Sequence, residues 1–296
     1  MRDSRIDGVR GLACLLLVLY HVIGSTPDYG LRMDAGHPLR FLADGLSDIR
    51  MPLFAFVSGY VYQFNPARRD ALAQFISRKT KVLLIPGLVA ITVFFLLSNI
   101  VGTSFSAPMS EFWKALLYPY SHFWFLQAIF LIFLLFASLD SLLGPDHAIA
   151  ILLVGSALYA LDLVPGISFF SVNQAFWLLP FFAFGVVVHR TESLAELPGR
   201  KEWALCAATI LIVAACKAWL SAQGLAPASR FNPLSLALGL SVSLMVFRSS
   251  DLWLAFAWMG RESFVIFLYH PIGSSAMRRL LGAVNWTETR PSLFVS

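Results

Sequence analysis

Residues 8–24 read GVRGLACLLLVLYHVIG, an apolar stretch that contains two ionisable side chains, those of Arg10 and His21. Eleven residues at about 100° each make three turns plus about 20°, so a helix places both side chains on one face, about 16.5 Å apart along its axis. Ionisable groups inside a membrane helix are costly and usually face a protein interior or a polar cavity. The stretch therefore predicts a membrane helix with one polar stripe, and we expect that stripe to line an enclosed cavity.

The composition is that of a polytopic membrane protein. The 296 residues are 58% hydrophobic and 13% charged, with a mean hydropathy of +0.72, whereas soluble domains are about 45–50% apolar. The apolar runs do not alternate as the strands of a β-barrel do. We predict an all-α, polytopic transmembrane helical bundle of about nine to ten helices. The predicted spans lie near 9–25, 48–64, 80–101, 122–139, 147–164, 174–189, 202–220, 232–247 and 262–282.

One integral membrane domain over residues 1–296 is the simplest organisation, because no long linker or low-complexity tract divides the chain. The first apolar segment lacks an A-x-A-like cleavage site, so we interpret it as a retained helix rather than a signal peptide. The last residues, 283–296, end in an apolar stub. Two alternatives stay open there: the start of a further helix in a truncated chain, or an end outside the membrane.

Basic residues indicate a cytoplasmic N-terminus. They precede the first predicted helix and recur in the loop after the second, whereas the loop between the two carries four aspartates against three arginines. Lys and Arg concentrate in cytoplasmic loops. The residues concerned are Arg2, Arg5, Arg68, Arg69, Arg78, Lys79 and Lys81.

The charge and the cysteines argue against nucleic-acid binding and against a disulfide framework or metal site. In a membrane protein the net charge of +5 is explained by cytoplasmic loops, so we expect no nucleic-acid partner. Cys14, Cys206 and Cys216 all fall in predicted spans without metal-ligand spacing, so we expect neither a disulfide framework nor a metal site.

Arg10 and His21 each allow a functional and a structural interpretation. An imidazole titrates near neutral pH, so His21 is a candidate general base or proton relay; otherwise it is a histidine hydrogen-bonded to a neighbouring helix. Arg10 offers planar recognition of a phosphate or carboxylate. Alternatively, it anchors the helix at the interface or pairs with Asp7, three residues earlier.

The stretch RIDGVRGLACLLLVLYH, residues 5–21, closely resembles the opening of the acyltransferase 3 family of integral membrane acyltransferases, in which an arginine and a histidine separated by ten residues form the hallmark. Further segments resemble the family in the order that it shows. They are MPLFAFVSGY (51–60), FISRKTKVLLIP (75–86), HFWFL (122–126) and GRESFVIFLYHP (260–271).

The resemblance implies a membrane-bound O-acyltransferase. It would move an acyl group, acetyl in the expected case, from cytoplasmic acyl-CoA to a hydroxyl of a cell-surface or exported carbohydrate or glycolipid. His21 would act as general base and Arg10 would orient the donor. Acyl-CoA is then a co-substrate rather than a bound cofactor, and the protein would lie among the lipids of the plasma membrane, as a multi-pass protein of a bacterial inner membrane.

Secondary candidates follow from the same matches. Arg78, Lys79 and Lys81 suit the phosphates of coenzyme A or form a positive-inside cluster. Ser58 is either a nucleophile or, as part of a Ser-Gly pair, a site of close helix packing. Candidate contacts with the acceptor or the cavity are Asp7, Ser58, His122, Trp124, Glu262 and His270.

Two rival functions stay open on the sequence. A proton-coupled transporter or permease would use the same arginine and histidine as a substrate clamp and proton relay. A structural membrane protein would use them for packing alone.

Overall fold

The computed structural model describes residues 3–24, 30–31, 37–191, 200–225, 229 and 231–283. Within these ranges every regular element is helical and there is no strand, which confirms the predicted all-α class. Arg2 and residues 284–296, on which parts of the orientation and chain-end predictions depend, lie outside them.

The described helices are numbered here in chain order. Short 3₁₀ segments lie at Arg69–Ala71, Met109–Glu111, Pro145–His147, Phe169–Ser171 and Ser250–Phe256, and a π-helical segment lies at Thr80–Leu84. The α-helices are α1 (Ser4–Ile23), α2 (Pro38–Ser47), α3 (Arg50–Tyr62), α4 (Leu72–Lys79), α5 (Ile85–Val101), α6 (Phe112–Leu117), α7 (Trp124–Leu143), α8 (Ala148–Ala160), α9 (Val172–Arg190), α10 (Arg200–Ala222), α11 (Pro233–Arg248), α12 (Ala257–Arg261) and α13 (Ser263–Ala283).

The described residues contain five helical stretches long and apolar enough to cross a membrane, or six if α11 and the segment that follows it, bent by 80°, form one span. α3 and α8 have 13 residues each, so they are about 20 Å long, against a hydrocarbon core of roughly 30 Å. The chain is therefore an all-helical, multi-pass membrane protein. The total of nine to ten spans and the cytoplasmic N-terminus stay predictions. The five stretches are Ser4–Ile23, Arg69–Val101, Trp124–Leu143, Phe169–Arg190 and Trp203–Ala222.

The glycines of the first helix have a packing role. Gly8 and Gly11 lie three residues apart on one face of α1, against the segment Ser250–Phe256. A Cβ atom on Gly11 would lie 2.0 Å from the carbonyl oxygen of Phe256. Because only hydrogen fits there, the two glycines let backbone approach backbone and fix the direction in which α1 presents its other side chains.

A second close crossing joins α3 to α9. A Cβ atom on Gly59 would lie 2.0 Å from the Phe182 carbonyl oxygen, and one on Gly185 would lie 2.0 Å from that of Phe56. Small residues allow such contacts between membrane helices, where van der Waals packing replaces the hydrophobic driving force. This crossing supports the packing interpretation of the Ser-Gly pair at residues 58–59.

α10 lies at the edge of the bundle, and one ionic contact ties it to the interior. Large apolar side chains such as Leu211 are exposed on its surface, as expected where lipid surrounds a helix. The Lys217 ammonium pairs with the buried carboxylate of Asp48 and donates to the hydroxyl of Ser235 at 2.9 Å. A polar contact in these surroundings holds α10 against the chain between α2 and α3.

We expect Lys217→Ala to destabilise the protein by about 3–5 kcal/mol, because the substitution leaves the Asp48 carboxylate buried without its cationic partner. Thermal unfolding in detergent, followed by tryptophan fluorescence, measures the change. Lys114→Ala is the control, since it removes an exposed lysine paired with Glu111 at 2.9 Å, and such pairs contribute about 0.2–1 kcal/mol. Equal losses of stability in the two variants would contradict the structural role of the Lys217 contact.

Candidate functional site

The two ends of α1 face two separate groups of polar side chains. Arg10 lines a cavity of about 570 Å³, to which the end of α3 contributes Ser58 and Tyr62. At the other end of α1, the guanidinium carbon of Arg50, the first residue of α3, lies 3.4 Å from the centroid of the Tyr20 ring. α1 and α3 are therefore antiparallel. The remaining walls of the cavity come from α4, the π-helical segment, α7 and α13.

One wall of the cavity is basic. Arg78 and Lys79 line it with Arg10, and the Lys79 ammonium lies 3.6 Å from the centroid of the Phe133 ring and 5.4 Å from that of Phe75. Cation–π contacts of this kind stabilise a positive charge beside an apolar wall. Neither Arg78 nor Lys79 forms an ion pair with any residue that the structure describes. The wall thus carries positive charge that an anionic ligand can neutralise.

The π-helical turn lies next to this basic wall. The N–H of Ile85 bonds to the carbonyl oxygen of Thr80, five residues earlier, and Pro86 has no N–H to donate. The wide turn extends from Thr80 to Leu84, and Val82 and Leu83 from it line the cavity. Such turns occur often at functional sites.

Ser58 and Tyr62 are engaged in bonds within the protein. The Ser58 hydroxyl donates to the Phe54 carbonyl oxygen at 2.8 Å, and the Tyr62 hydroxyl donates to the buried carboxylate of Asp140. Arg190 donates to the same carboxylate at 3.2 Å. The Asp140 carboxylate thereby links the ends of α3, α7 and α9, and it fixes the position of Tyr62 in the cavity lining.

Three histidines meet at the other end of α1, and we name His21, His122 and His270 the histidine cluster. The ring centroids of His21 and His270 are 4.8 Å apart, those of His122 and His270 are 4.9 Å apart, and those of His21 and His122 are 6.3 Å apart. The three rings come from α1, from the turn before α7 and from α13. The structure therefore brings together three residues that sequence motifs 100 residues and more apart had identified.

Hydrogen bonds distinguish the roles open to these rings. His122 uses both ring nitrogens: Nε2 lies 3.2 Å from the carbonyl oxygen of Leu268 and Nδ1 lies 3.2 Å from the Ser121 hydroxyl. His270 uses Nδ1 alone, at 2.9 Å from the Phe267 carbonyl oxygen. A carbonyl oxygen only accepts, so His122 Nε2 and His270 Nδ1 carry the proton. The Nδ1 atom of a neutral His122 then accepts from the Ser121 hydroxyl, and the Nε2 atom of a neutral His270 keeps its lone pair.

The Nε2 atom of His270 is buried and has no hydrogen-bond partner among the described residues. No hydrogen bond joins the His21 ring to a described residue either; its contacts are the rings of Tyr20, His122 and His270. Buried polar atoms are normally satisfied, and an exception in a native structure points to a ligand, a water or a reaction. In the histidine cluster, hydrogen bonds therefore fix the ring of His122, whereas the rings of His21 and His270 have nitrogen atoms available to a ligand.

A layer of three aromatic rings separates the cavity from the cluster. We name Phe54, Phe125 and Phe267 the phenylalanine layer; all three line the cavity. Ring centroids are 6.0 Å apart between Phe54 and Phe125 and 5.5 Å apart between Phe125 and Phe267. Each lies about one helical turn from Arg50, His122 or His270 on its own chain segment. The layer therefore lies about one turn from Arg50 and from the histidine cluster.

The prediction of one cavity lined by both Arg10 and His21 stays a prediction. Arg10 lines the cavity, whereas His21 is not among its lining residues. Phe267, which lines the cavity, contacts the rings of His122 and His270 in the cluster. Both side chains nevertheless face the interior of the bundle, on the same side of α1, as the 11-residue spacing predicts.

The other candidates lie apart from the cavity and the cluster. Lys81 and Glu262 are exposed and do not line the cavity. Trp124 packs on Trp177, with ring centroids 5.6 Å apart. Asp7 is buried, and its backbone carbonyl approaches Gly260 of α12. The structure thus supports Arg78 and Lys79 over Lys81 as cavity residues.

Sequence reasoning missed Arg50 and the phenylalanine layer. Arg50 is buried at the start of α3 and packs on Tyr20, beside His21; in the sequence it is one of the three arginines of the loop between the first two predicted helices. Its position directly before the MPLF segment was the available signal. The three phenylalanines lie inside the quoted segments 51–60, 122–126 and 260–271, but one ring among 26 phenylalanines looks like lipid contact or core.

A family model described as an acyltransferase domain matches residues 3–296, nearly the whole chain. No curated protein and no solved structure matches.

Proposed function

The chain belongs to the acyltransferase 3 family of membrane acyltransferases, and from that premise we propose that it transfers an acyl group, acetyl in the expected case, from cytoplasmic acyl-CoA to a hydroxyl of a cell-surface or exported carbohydrate or glycolipid. The observation that carries the proposal is the placement of Arg10 and His21 on one side of α1, the first in a basic cavity and the second in the histidine cluster. A donor with phosphates at one end and a thioester at the other matches that order.

The basic wall binds the phosphate-bearing end of the donor in this scheme. Arg78 and Lys79 lack an ionic partner among the described residues, and charge-assisted hydrogen bonds to phosphate are strong. Arg10 orients the donor. The pantetheine arm then extends through the apolar part of the cavity toward the phenylalanine layer, over the roughly 16.5 Å that separate Arg10 from His21 along α1.

The histidine cluster supplies the base. The acceptor hydroxyl oxygen attacks the thioester carbonyl carbon while a ring nitrogen of His21 takes the hydroxyl proton. The carbon–sulfur bond then breaks, the ester forms, and the proton passes to the thiolate of coenzyme A. Acyl-CoA is a co-substrate here, and the chain's own residues do the proton transfer.

Membrane placement follows from the same scheme. The donor is cytoplasmic, so the basic wall and the N-terminus face the cytoplasm, and the cluster lies toward the outer face of the plasma membrane, a bacterial inner membrane in our proposal. The basic wall and the histidine cluster lie at opposite ends of the antiparallel pair α1 and α3. This arrangement supports placing them toward opposite sides of the membrane. Nine to ten spans would include the short helices α3 and α8.

A transfer assay with purified protein in lipid nanodiscs tests the function against the permease. The assay uses acetyl-CoA labelled in the acetyl group and the carbohydrate fraction of the host cell envelope as acceptor. We expect label in alkali-labile esters of that fraction and one free thiol for each ester formed. A proton-coupled permease releases no coenzyme A, so an absence of both products would overturn the proposal.

A further inference from the structure

We propose that Phe267 selects the acyl group by length, because it closes the passage between the donor cavity and the histidine cluster to all but short chains. The inference rests on the proposed function and adds the specificity of the same site. Phe267 lines the cavity on one side. On the other side its ring centroid lies 5.4 Å from that of His122 and 6.4 Å from that of His270.

Phe267 is the ring of the phenylalanine layer that contacts the cluster directly. It is 4% exposed and packs on Phe125, with ring centroids 5.5 Å apart. Phe125 in turn packs on Phe54 at 6.0 Å. The layer is therefore a continuous row of rings, and Phe267 lines the cavity and contacts the rings of His122 and His270.

The donor must present its carbonyl carbon where a hydroxyl near His21 can reach it. A thioester that follows the apolar wall from Arg10 meets the layer before it meets the cluster, so its acyl group must fit between or past the rings. A well-packed interior has few gaps larger than a small group. An acetyl group fits such a gap far better than a longer chain, and in an apolar pocket one methylene changes kcat/KM by roughly 10–200-fold.

Phe267→Ala is a clean test, because the contact that holds His270 involves the backbone of residue 267 and not its ring. The His270 Nδ1 atom lies 2.9 Å from the Phe267 carbonyl oxygen and 3.1 Å from that of Ile266. Both carbonyl groups stay in the variant. The substitution therefore removes the ring and leaves the proton of His270 on the same nitrogen.

The experiment compares acetyl-CoA with butyryl-CoA and octanoyl-CoA in the nanodisc transfer assay, with the envelope carbohydrate fraction as acceptor. We expect Phe267→Ala to raise the ratio of butyryl to acetyl transfer by about tenfold or more. Phe267→Leu, which keeps an apolar side chain in the core, shifts the ratio in the same direction by a smaller factor and serves if the alanine variant does not fold.

Phe264→Ala is the matched control. Phe264 lines the same cavity from the same helix, and among the described residues its ring contacts none of the histidines. We expect it to leave the ratio unchanged. An unshifted butyryl-to-acetyl ratio in both Phe267 variants, or an equal shift in Phe264→Ala, overturns the role of Phe267 in acyl-length selection. Acyl transfer by the wild-type protein in the same assay upholds the proposed function. Wild-type protein that transfers no acyl group from any thioester overturns both.

Discussion

His21→Gln lowers acyl transfer by about 10²–10⁴-fold, the range expected when a general base is removed. Glutamine keeps a polar side chain of similar length but cannot take a proton from a hydroxyl. The variant should fold, because the His21 ring makes no hydrogen bond to a described residue and contributes ring contacts alone. The measurement is the initial rate of ester formation in nanodiscs, normalised to the fraction of protein that elutes as a single species.

His189→Gln is the control for this result. This variant makes the same chemical change at the end of α9. There the centroid of the His189 ring lies 4.8 Å from that of Tyr60 and 4.8 Å from that of Phe64. His189 belongs to neither the cavity lining nor the histidine cluster. We expect transfer close to that of the wild type. A His21→Gln protein as active as His189→Gln would remove His21 from the mechanism and return it to a packing role.

The polar stripe of the first helix could be predicted because it depends on local geometry. Eleven residues fix the relative direction of Arg10 and His21 on any regular helix, and the cost of ionisable groups in lipid requires that direction to be inward. The packing interpretation of the Ser-Gly pair at residues 58–59, one of the two alternatives open for Ser58, was also local, and Gly59 meets α9 at backbone distance. These features need no knowledge of which helices are neighbours.

The partition of the stripe into two sites could not be predicted, because it depends on contacts between distant segments. Phe125 and Phe267 are separated by 142 positions in the chain, and only the fold places their rings 5.5 Å apart. The same holds for Lys217 and Asp48. The exclusion of Lys81 is local, because Arg78 and Lys79 of the preceding turn line the cavity and Lys81 of the π-helical segment does not.

That exclusion makes the second large effect testable. Replacing both Arg78 and Lys79 by glutamine should weaken the binding of acetyl-CoA by about 10²–10⁴-fold, because each of the two hydrogen bonds to a charged group contributes about 1.5–3 kcal/mol and about 1.4 kcal/mol is a factor of ten. The affinity of the variant should also depend less on salt, since fewer exposed charges remain for ions to screen. Isothermal titration calorimetry in nanodiscs at several salt concentrations measures both quantities.

Two controls separate phosphate binding from a general disturbance of the cavity. Lys81→Gln removes a neighbouring positive charge that lies outside the cavity lining, so it should leave the affinity for acetyl-CoA nearly unchanged. S-acetylpantetheine has the thioester and the arm but no phosphates, so wild type and double variant should bind it equally weakly and with little dependence on salt. In the proposed scheme Arg78 and Lys79 bind the phosphates and not the arm. An equal loss of affinity for both ligands would therefore show that the substitutions distort the cavity, and the basic wall would lose its assignment as the phosphate site.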